Sequence, residues 1–149
     1  MTVAISGEDL AVKLAAQFPA SIVKSSPNSL VVKSEFLLQV AWYLKATPEL
    51  GFDYLTSITA VDYGNYFELV YHLMSLEHNH ILVLKTHCYG RDEPVAPSLV
   101  SLWQGADFQE REVYDLMGIR FDGHPNMKRL LLWDGFQGHP LRKDYSNDT

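Results

Sequence analysis

Glu112 and Asp115 stand three residues apart in a run dense with charge, Glu110-Arg111-Glu112-Val113-Tyr114-Asp115. On a helix, that spacing puts both carboxylates on one side. Two carboxyl groups so placed are the minimum equipment for general acid–base chemistry of the kind that cleaves glycosides. The neighbouring sequence supplies no aromatic platforms for a sugar cleft, which counts against that use. The same run also reads as a solvated helix end, with Glu110 and Glu112 set against the N-terminal dipole, or as an ion-pair surface for another protein. Arg111 and Asp115, four apart, can pair along such a helix.

The histidines raise a second possibility. His78 and His80 flank one residue at an expected hairpin tip, with His72 and His87 on the adjoining strands. An extended His-x-His can offer both rings to one ion, but a closed site needs further ligands, and neither a Cys pair nor a His-Glu-x-x-His motif is present. Exposed turn residues are therefore the favoured reading. Cys88 has His87 beside it, yet neighbours on a strand point to opposite faces, which disfavours a nucleophilic pair. No Gly-x-Ser-x-Gly elbow, P-loop or Gly-x-Gly-x-x-Gly occurs, so no site for NAD, flavin or nucleotide is expected on this chain. His124-Pro125 and His139-Pro140 each follow a glycine, Gly123 and Gly138. A residue before proline is driven toward extended geometry, so each Gly-His-Pro is first a device for turning the chain.

These residues are positioned by an alternating set of elements. Ser6 with Asp9 resembles a capping box, and Leu10, Leu14 and Phe18 recur at helical spacing, predicting a helix over 7–18. Apolar runs on both sides of Ser25-Ser26-Pro27-Asn28 predict a hairpin. Ser34 can cap a second helix carrying Phe36, Val40 and Leu44 and ending near Gly51, with Pro48 shortening its last turn. Strands follow over 52–62, 66–76 and 81–89, joined so tightly that they must be antiparallel. Arg91 to Pro97 reads as a loop, and Ser98 to Trp103 as a short helical turn. Asp107 with Glu110 repeats the capping-box pattern, opening a helix that runs to Met117 and stops at Gly118. The fold class is α+β: a mostly antiparallel sheet, made of a hairpin plus a three-stranded meander, with helices on one face and an irregular C-terminal extension. The expected organisation is a core domain over 1–119 and a docking extension over 120–149.

Composition narrows the function. The chain has 149 residues, 47% hydrophobic and 20% charged, with a net charge of −6. It fits one domain able to bury roughly 70% of its unfolded surface. The negative balance argues against nucleic-acid binding, which draws on Lys and Arg against phosphates. Residues 1–119 hold 7 basic and 14 acidic side chains, whereas 120–149 hold 5 and 4. The extension is thus the one net-positive part, suited to an acidic partner surface. The single cysteine leaves no internal disulfide and no thiolate cluster for zinc or iron–sulfur binding. Met1 to Ser6 has neither a basic start nor a long apolar core, so no signal peptide is expected. No window approaches a membrane span, so membrane association is expected only through a partner. The stretch after Met117 lacks periodicity for some thirty residues, leaving backbone groups without a ladder. The expectation is that another protein completes it, with Leu130-Leu131-Leu132-Trp133 as an apolar anchor or a final edge strand.

The spacing from Glu110-Arg111-Glu112 through Asp115-Leu116-Met117, His124, Lys128 and Leu130-Leu131 resembles the signature of the 30-kDa subunit family of NADH-quinone oxidoreductase, which is respiratory complex I. His139-Pro140-Leu141-Arg142-Lys143-Asp144-Tyr145 resembles that family's closing motif, and Phe52-Asp53-Tyr54-Leu55 matches its layout more weakly. The resemblance implies a compact α/β sandwich with a C-terminal extension. It implies a non-catalytic accessory subunit of the peripheral arm, on the cytoplasmic side of the cell membrane. Such a chain binds no cofactor; NAD, quinone and iron–sulfur clusters belong to other subunits. The implied partners are the hydrogenase-like large subunit, which helps form the quinone site, and the subunit holding the terminal iron–sulfur cluster. Docking is then expected from Glu110, Arg111, Glu112, Asp115, His124, Arg129, Arg142 and Lys143, with Gly118, Gly123, Pro125 and Pro140 shaping the chain path. Related subunits occur in membrane-bound hydrogenases, so the resemblance leaves the electron donor open. The chain ends soon after Tyr145 and is expected to lack the longer arm of some relatives. From the residues alone, a small metal-dependent hydrolase or a small-molecule binding module remain as rivals.

Overall fold

The computed structural model describes residues 3–133 and 135–146, with side chains from residue 5 onward. The reading of Met1 and Thr2, and the far end of the extension, lie outside the described residues.

Among the described residues, three α-helices cover one face of a sheet. Helix α1 (Gly7–Gln17) starts where Ser6 Oγ accepts the Asp9 N–H at 3.2 Å, an N-cap that satisfies one otherwise orphaned donor. Helix α2 (Leu37–Ala46) follows a 3-10 turn over Ser34–Phe36, so Ser34 opens that turn rather than capping the helix. Helix α3 (Ala106–Met117) ends at Gly118, whose φ of 79° supplies the left-handed C-cap. Its start corrects the capping-box expectation. Gly105 occupies the N-cap without a side-chain bond, and Glu110 turns inward to other partners.

The strands are β1 (Val3–Ala4), β2 (Ile22–Ser25), β3 (Ser29–Lys33), β4 (Tyr54–Asp62), β5 (Tyr66–Ser75), β6 (His80–Tyr89), β7 (Val95–Pro97) and β8 (Arg120–Asp122). The main sheet runs β2-β3-β6-β5-β4, with β1 also lying beside β6. The β2–β3 hairpin and the β4–β5–β6 meander are antiparallel as expected. The hairpin joins the meander through a parallel pairing of β3 with β6, which turn signals alone do not foretell. One row of the register, Leu30, Leu84, Tyr71 and Ile58, crosses four strands entirely on the helix-covered side. Leu10, Leu14, Leu37, Val40, Leu44, Val113 and Met117 pack onto that side. Each such apolar side chain removed from water stabilises the fold by about 1.5–3 kcal/mol before ordering costs.

β7 and β8 form a separate parallel pair, so the expected loop at 91–97 contains a strand. The helical turn expected after Ser98 is present only as hydrogen-bonded turns, with Leu102 and Trp103 both donating to the Leu99 carbonyl. Leu130 to Trp133 forms no strand. β8 carries Phe121 into the common core at 2% exposure, so the extension begins inside the fold. At the outer margin of β4, the Ile58 N–H is taken up by Gln109 Oε1 of α3 at 2.7 Å.

Candidate functional site

The segment after α3 settles on the end of that helix. A helix leaves its last carbonyls without partners inside the helix, and here the extension supplies them. Arg129 Nη1 donates to the Asp115 carbonyl at 2.9 Å, His139 Nδ1 lies 2.9 Å from the same oxygen, and the Leu141 N–H donates to the Leu116 carbonyl at 2.9 Å. Several backbone groups of this segment that the sequence reading left for another protein are thus paired within the chain. At these positions, orphaned groups of the helix end and of the extension satisfy each other.

Asp115 sits at the centre. It is fully buried, and Oδ2 accepts the consecutive N–H groups of Leu130, Leu131 and Leu132 at 3.3, 2.7 and 2.9 Å. Successive backbone amides converging on one anion form a nest, here filled by the chain's own carboxylate. Oδ1 accepts from Arg129 Nη1 at 2.9 Å. Burial opposes the charge, but Arg129 and the three amides outweigh it and hold the carboxyl below its ordinary range. Arg129 Nη2 also donates to the Phe136 and Gly138 carbonyls at 2.9 and 2.8 Å. Arg111 does not pair with Asp115; it donates to the Lys128 and Arg129 carbonyls at 3.1 and 2.8 Å.

A second cluster fastens the far end. Asp62, at the end of β4, receives Arg91 through both oxygens at 2.5 and 2.9 Å, and its Oδ2 accepts the Lys143 N–H at 2.9 Å. These donors hold its carboxyl far below the usual range. Arg91 and Arg142 both reach Asp144, at 3.0 and 2.9 Å, and both guanidiniums lie over the Phe67 ring at 4.7 and 5.1 Å. Arg142 also donates to the Arg91 carbonyl.

The remaining predicted residues have distinct fates. Glu110 is fully buried, accepting Ser98 Oγ at 2.6 Å and the Leu99 N–H at 2.8 Å. Burial raises its pKa against those two bonds. Both the Glu110 and the Asp115 carboxylates are buried and bonded to this chain's own loops. Glu112 is exposed, so it shares no site with Asp115 and the acid–base pair is absent. His124 Nδ1 accepts the Asn126 N–H at 2.9 Å, while Nε2 faces the Asp107 carbonyl at 3.1 Å. Lys143 takes part through its backbone, and its side chain is exposed. Gly123 turns the chain after β8 with φ 89°, Pro125 is exposed and Pro140 half-buried. A Cβ on Gly118 would fall 2.8 Å from the His139 ring, so glycine there serves both the helix end and the approach of the extension.

Sequence reasoning misses Asp62, Arg91 and Ser98. Asp62 reads there only as the last residue of the strand over 52–62, although the alternation Ile58, Ala60, Asp62 places it on the core side of β4. Among the described residues, no group of three or more His, Cys, Asp or Glu side chains is placed to hold a metal ion. His78 and His80 stack on each other at 5.2 Å, and His78 Nε2 lies 2.7 Å from the Pro48 carbonyl. Also among the described residues, no helix is long and apolar enough to cross a membrane.

Beside exposed polar residues such as Lys128 and Gln137, this framework presents three large apolar side chains outward. Leu131, Trp133 and Leu141 are 61%, 69% and 61% exposed, on a backbone held by the charged residues beneath. The model of the family described as "Respiratory-chain NADH dehydrogenase, 30 Kd subunit" matches residues 30–149, spanning both clusters. The chain belongs to this family. It is 38% identical over 148 residues to the corresponding NADH-quinone oxidoreductase subunit of Roseiflexus castenholzii, covering 95% of this chain and 84% of that protein. It is 45% identical over 123 residues to the counterpart of Moorella thermoacetica, covering 81% of each. Among solved structures it resembles a chain of the membrane-bound sulfane sulfur reductase, an archaeal respiratory membrane complex, with a TM-score of 0.75 at 25% identity over 95% of this chain and 86% of that one. The family resemblance and the α+β fold read from the sequence both hold.

Proposed function

We propose that this 30 Kd-family chain is a non-catalytic component of the peripheral arm of a proton-pumping NADH-quinone oxidoreductase. It docks on the hydrogenase-like large subunit beside the quinone site, with the subunit holding the terminal iron–sulfur cluster close by. NAD, quinone and iron–sulfur clusters belong to its neighbours, and the chain reaches the cytoplasmic side of the membrane only through them. Its contribution is to keep the large subunit in the geometry that couples quinone reduction to ion pumping. The observation that carries this reading is the extension itself, whose buried charges fix its own shape while Leu131, Trp133 and Leu141 face outward. Exposed apolar side chains on a fixed, net-positive segment suit an apolar pocket with an acidic rim on a neighbouring subunit.

The test is affinity purification of the tagged chain from its native membrane. The hydrogenase-like large subunit is expected to be recovered with the wild-type chain. Replacing Leu131 and Trp133 together by Ser is expected to lose it while the circular dichroism of the free chain is unchanged. Undiminished recovery by that variant would move the docking surface elsewhere. The likeness to an archaeal respiratory membrane complex favours, as a second reading, membership of a related membrane-bound complex such as a hydrogenase, with a donor other than NADH. NADH oxidation by the purified assembly separates the two.

A further inference from the structure

Asp115 and Arg129 form a buried ion pair, 0% and 13% exposed at their side chains and 2.9 Å apart. Such pairs are weak sources of stability, because desolvation offsets much of their attraction; what they fix is geometry. Here the geometry fixed is that of a loop burying little of its own. Three consecutive amides close on Asp115, Arg129 crosses to the Phe136 and Gly138 carbonyls, and its guanidinium lies 5.6 Å from the Phe136 ring. Phe136 meets Trp133 edge-on at 4.9 Å. One buried carboxylate is thereby connected, through Arg129 and Phe136, to the orientation of an indole that is 69% exposed.

We propose that the Asp115 carboxylate is a positioning residue that forms the docking loop in the free chain, before any partner arrives. Leu131 and Trp133 then meet an apolar pocket of the neighbouring subunit already in place, and no folding step accompanies association. A loop ordered only on contact would bear its conformational entropy at that moment and bind more weakly and more slowly. The inference rests on the docking reading above, but its first readout does not involve a partner.

The experiment is amide hydrogen exchange on the full free chain, followed by binding to the complex purified from cells lacking this subunit. In the wild type, the Leu130–Leu132 amides are expected to exchange at least about a hundredfold more slowly than in an unstructured peptide. Exchange at unstructured rates would overturn the proposal without any variant. Asp115→Asn is expected to lose that protection while the Leu69 and Leu84 amides of the sheet keep theirs, and to slow association roughly tenfold or more. A general loss of protection, sheet included, would assign Asp115 to the core and overturn the positioning role. Leu131→Ser with Trp133→Ser is expected to keep the slow amides and lose binding through faster dissociation. If that double variant binds like the wild type, the docking reading falls, and this inference with it. If it fails to bind but Asp115→Asn associates at the wild-type rate, only the pre-forming role falls.

Discussion

Asp62 Oδ2 accepts the Lys143 N–H at 2.9 Å, joining the end of β4 to the closing segment of the chain. The same carboxylate takes both Arg91 nitrogens and the Gly64 N–H at 2.9 Å. It is therefore a junction between a strand, a turn and the extension. Asp62→Ala is expected to cost about 2–3 kcal/mol in urea unfolding, less than for a wholly buried pair because Arg91 keeps Asp144. Limited proteolysis is expected to shift to the segment 141–146. A loss of stability with that segment still resistant would mean that other contacts hold it.

Acid should loosen the extension before the sheet. The carboxyls of Asp62 and Asp144 are lowered chiefly by Arg91 and Arg142 respectively; Asp115 is lowered despite its burial. A carboxyl with a folded pKa below its unfolded value near 3.8 contributes stability that is present above that value. That stability is lost as pH falls through the folded pKa. Glu110, raised by burial, runs the opposite way and favours the folded state more as it protonates. The Lys143 amide signal in NMR is expected to weaken below about pH 4, ahead of Leu84. Simultaneous loss of both would deny the extension a separate acid response.

Gly118→Ala combines a left-handed backbone with a Cβ 2.8 Å from the His139 ring. It is expected to destabilise by about 1–3 kcal/mol, because both backbone strain and displacement of His139 contribute. The His139 ring resonances should shift along with those of Tyr114, whose ring lies 5.5 Å away. Unmoved His139 resonances would show that the helix end adapts without the extension.

Glu110→Gln and Glu110→Ala should differ. Gln keeps an acceptor for the Leu99 N–H and a donor for Ser98 Oγ, and it removes a charge that burial disfavours. It is expected to fall within about 1 kcal/mol of wild type, whereas Ala leaves the Leu99 N–H unsatisfied and costs about 1–3 kcal/mol. Equal urea midpoints for the two variants would remove the case for Glu110 as a bridge to the Ser98 loop.

Cys88 is 2% exposed, and burial pushes its thiol up to about 12. The native chain is expected to resist iodoacetamide at pH 8 and to react fully once unfolded. Rapid alkylation of the native chain would show that the β5–β6 region opens.

The helices, the hairpin and the meander are legible in the sequence because Leu10 and Leu14, or Leu82 and Leu84, repeat at the period of their own element. The parallel seat of β3 against β6 is not, since local turn chemistry says nothing about which margin a hairpin joins. One hint exists in the unbroken run Leu30-Val31-Val32, the pattern of a strand covered on both faces. The functional segment can be located from its residues, but its internal pairing cannot. Arg111 and Asp115 have ideal spacing for a helical pair, yet each finds stronger partners among amides and carbonyls of a loop with no periodic signal. Asp62 and Arg91 meet across nearly thirty residues, a pairing that only the folded sheet defines.

Gln109 has a consequence for how this molecule can join others. By engaging the Ile58 N–H, it occupies one backbone donor on the β4 edge of the sheet, whose other edge is β2, at a place where a foreign strand would need to zip on. A second copy adding its backbone at that edge would first have to displace the Gln109 side chain.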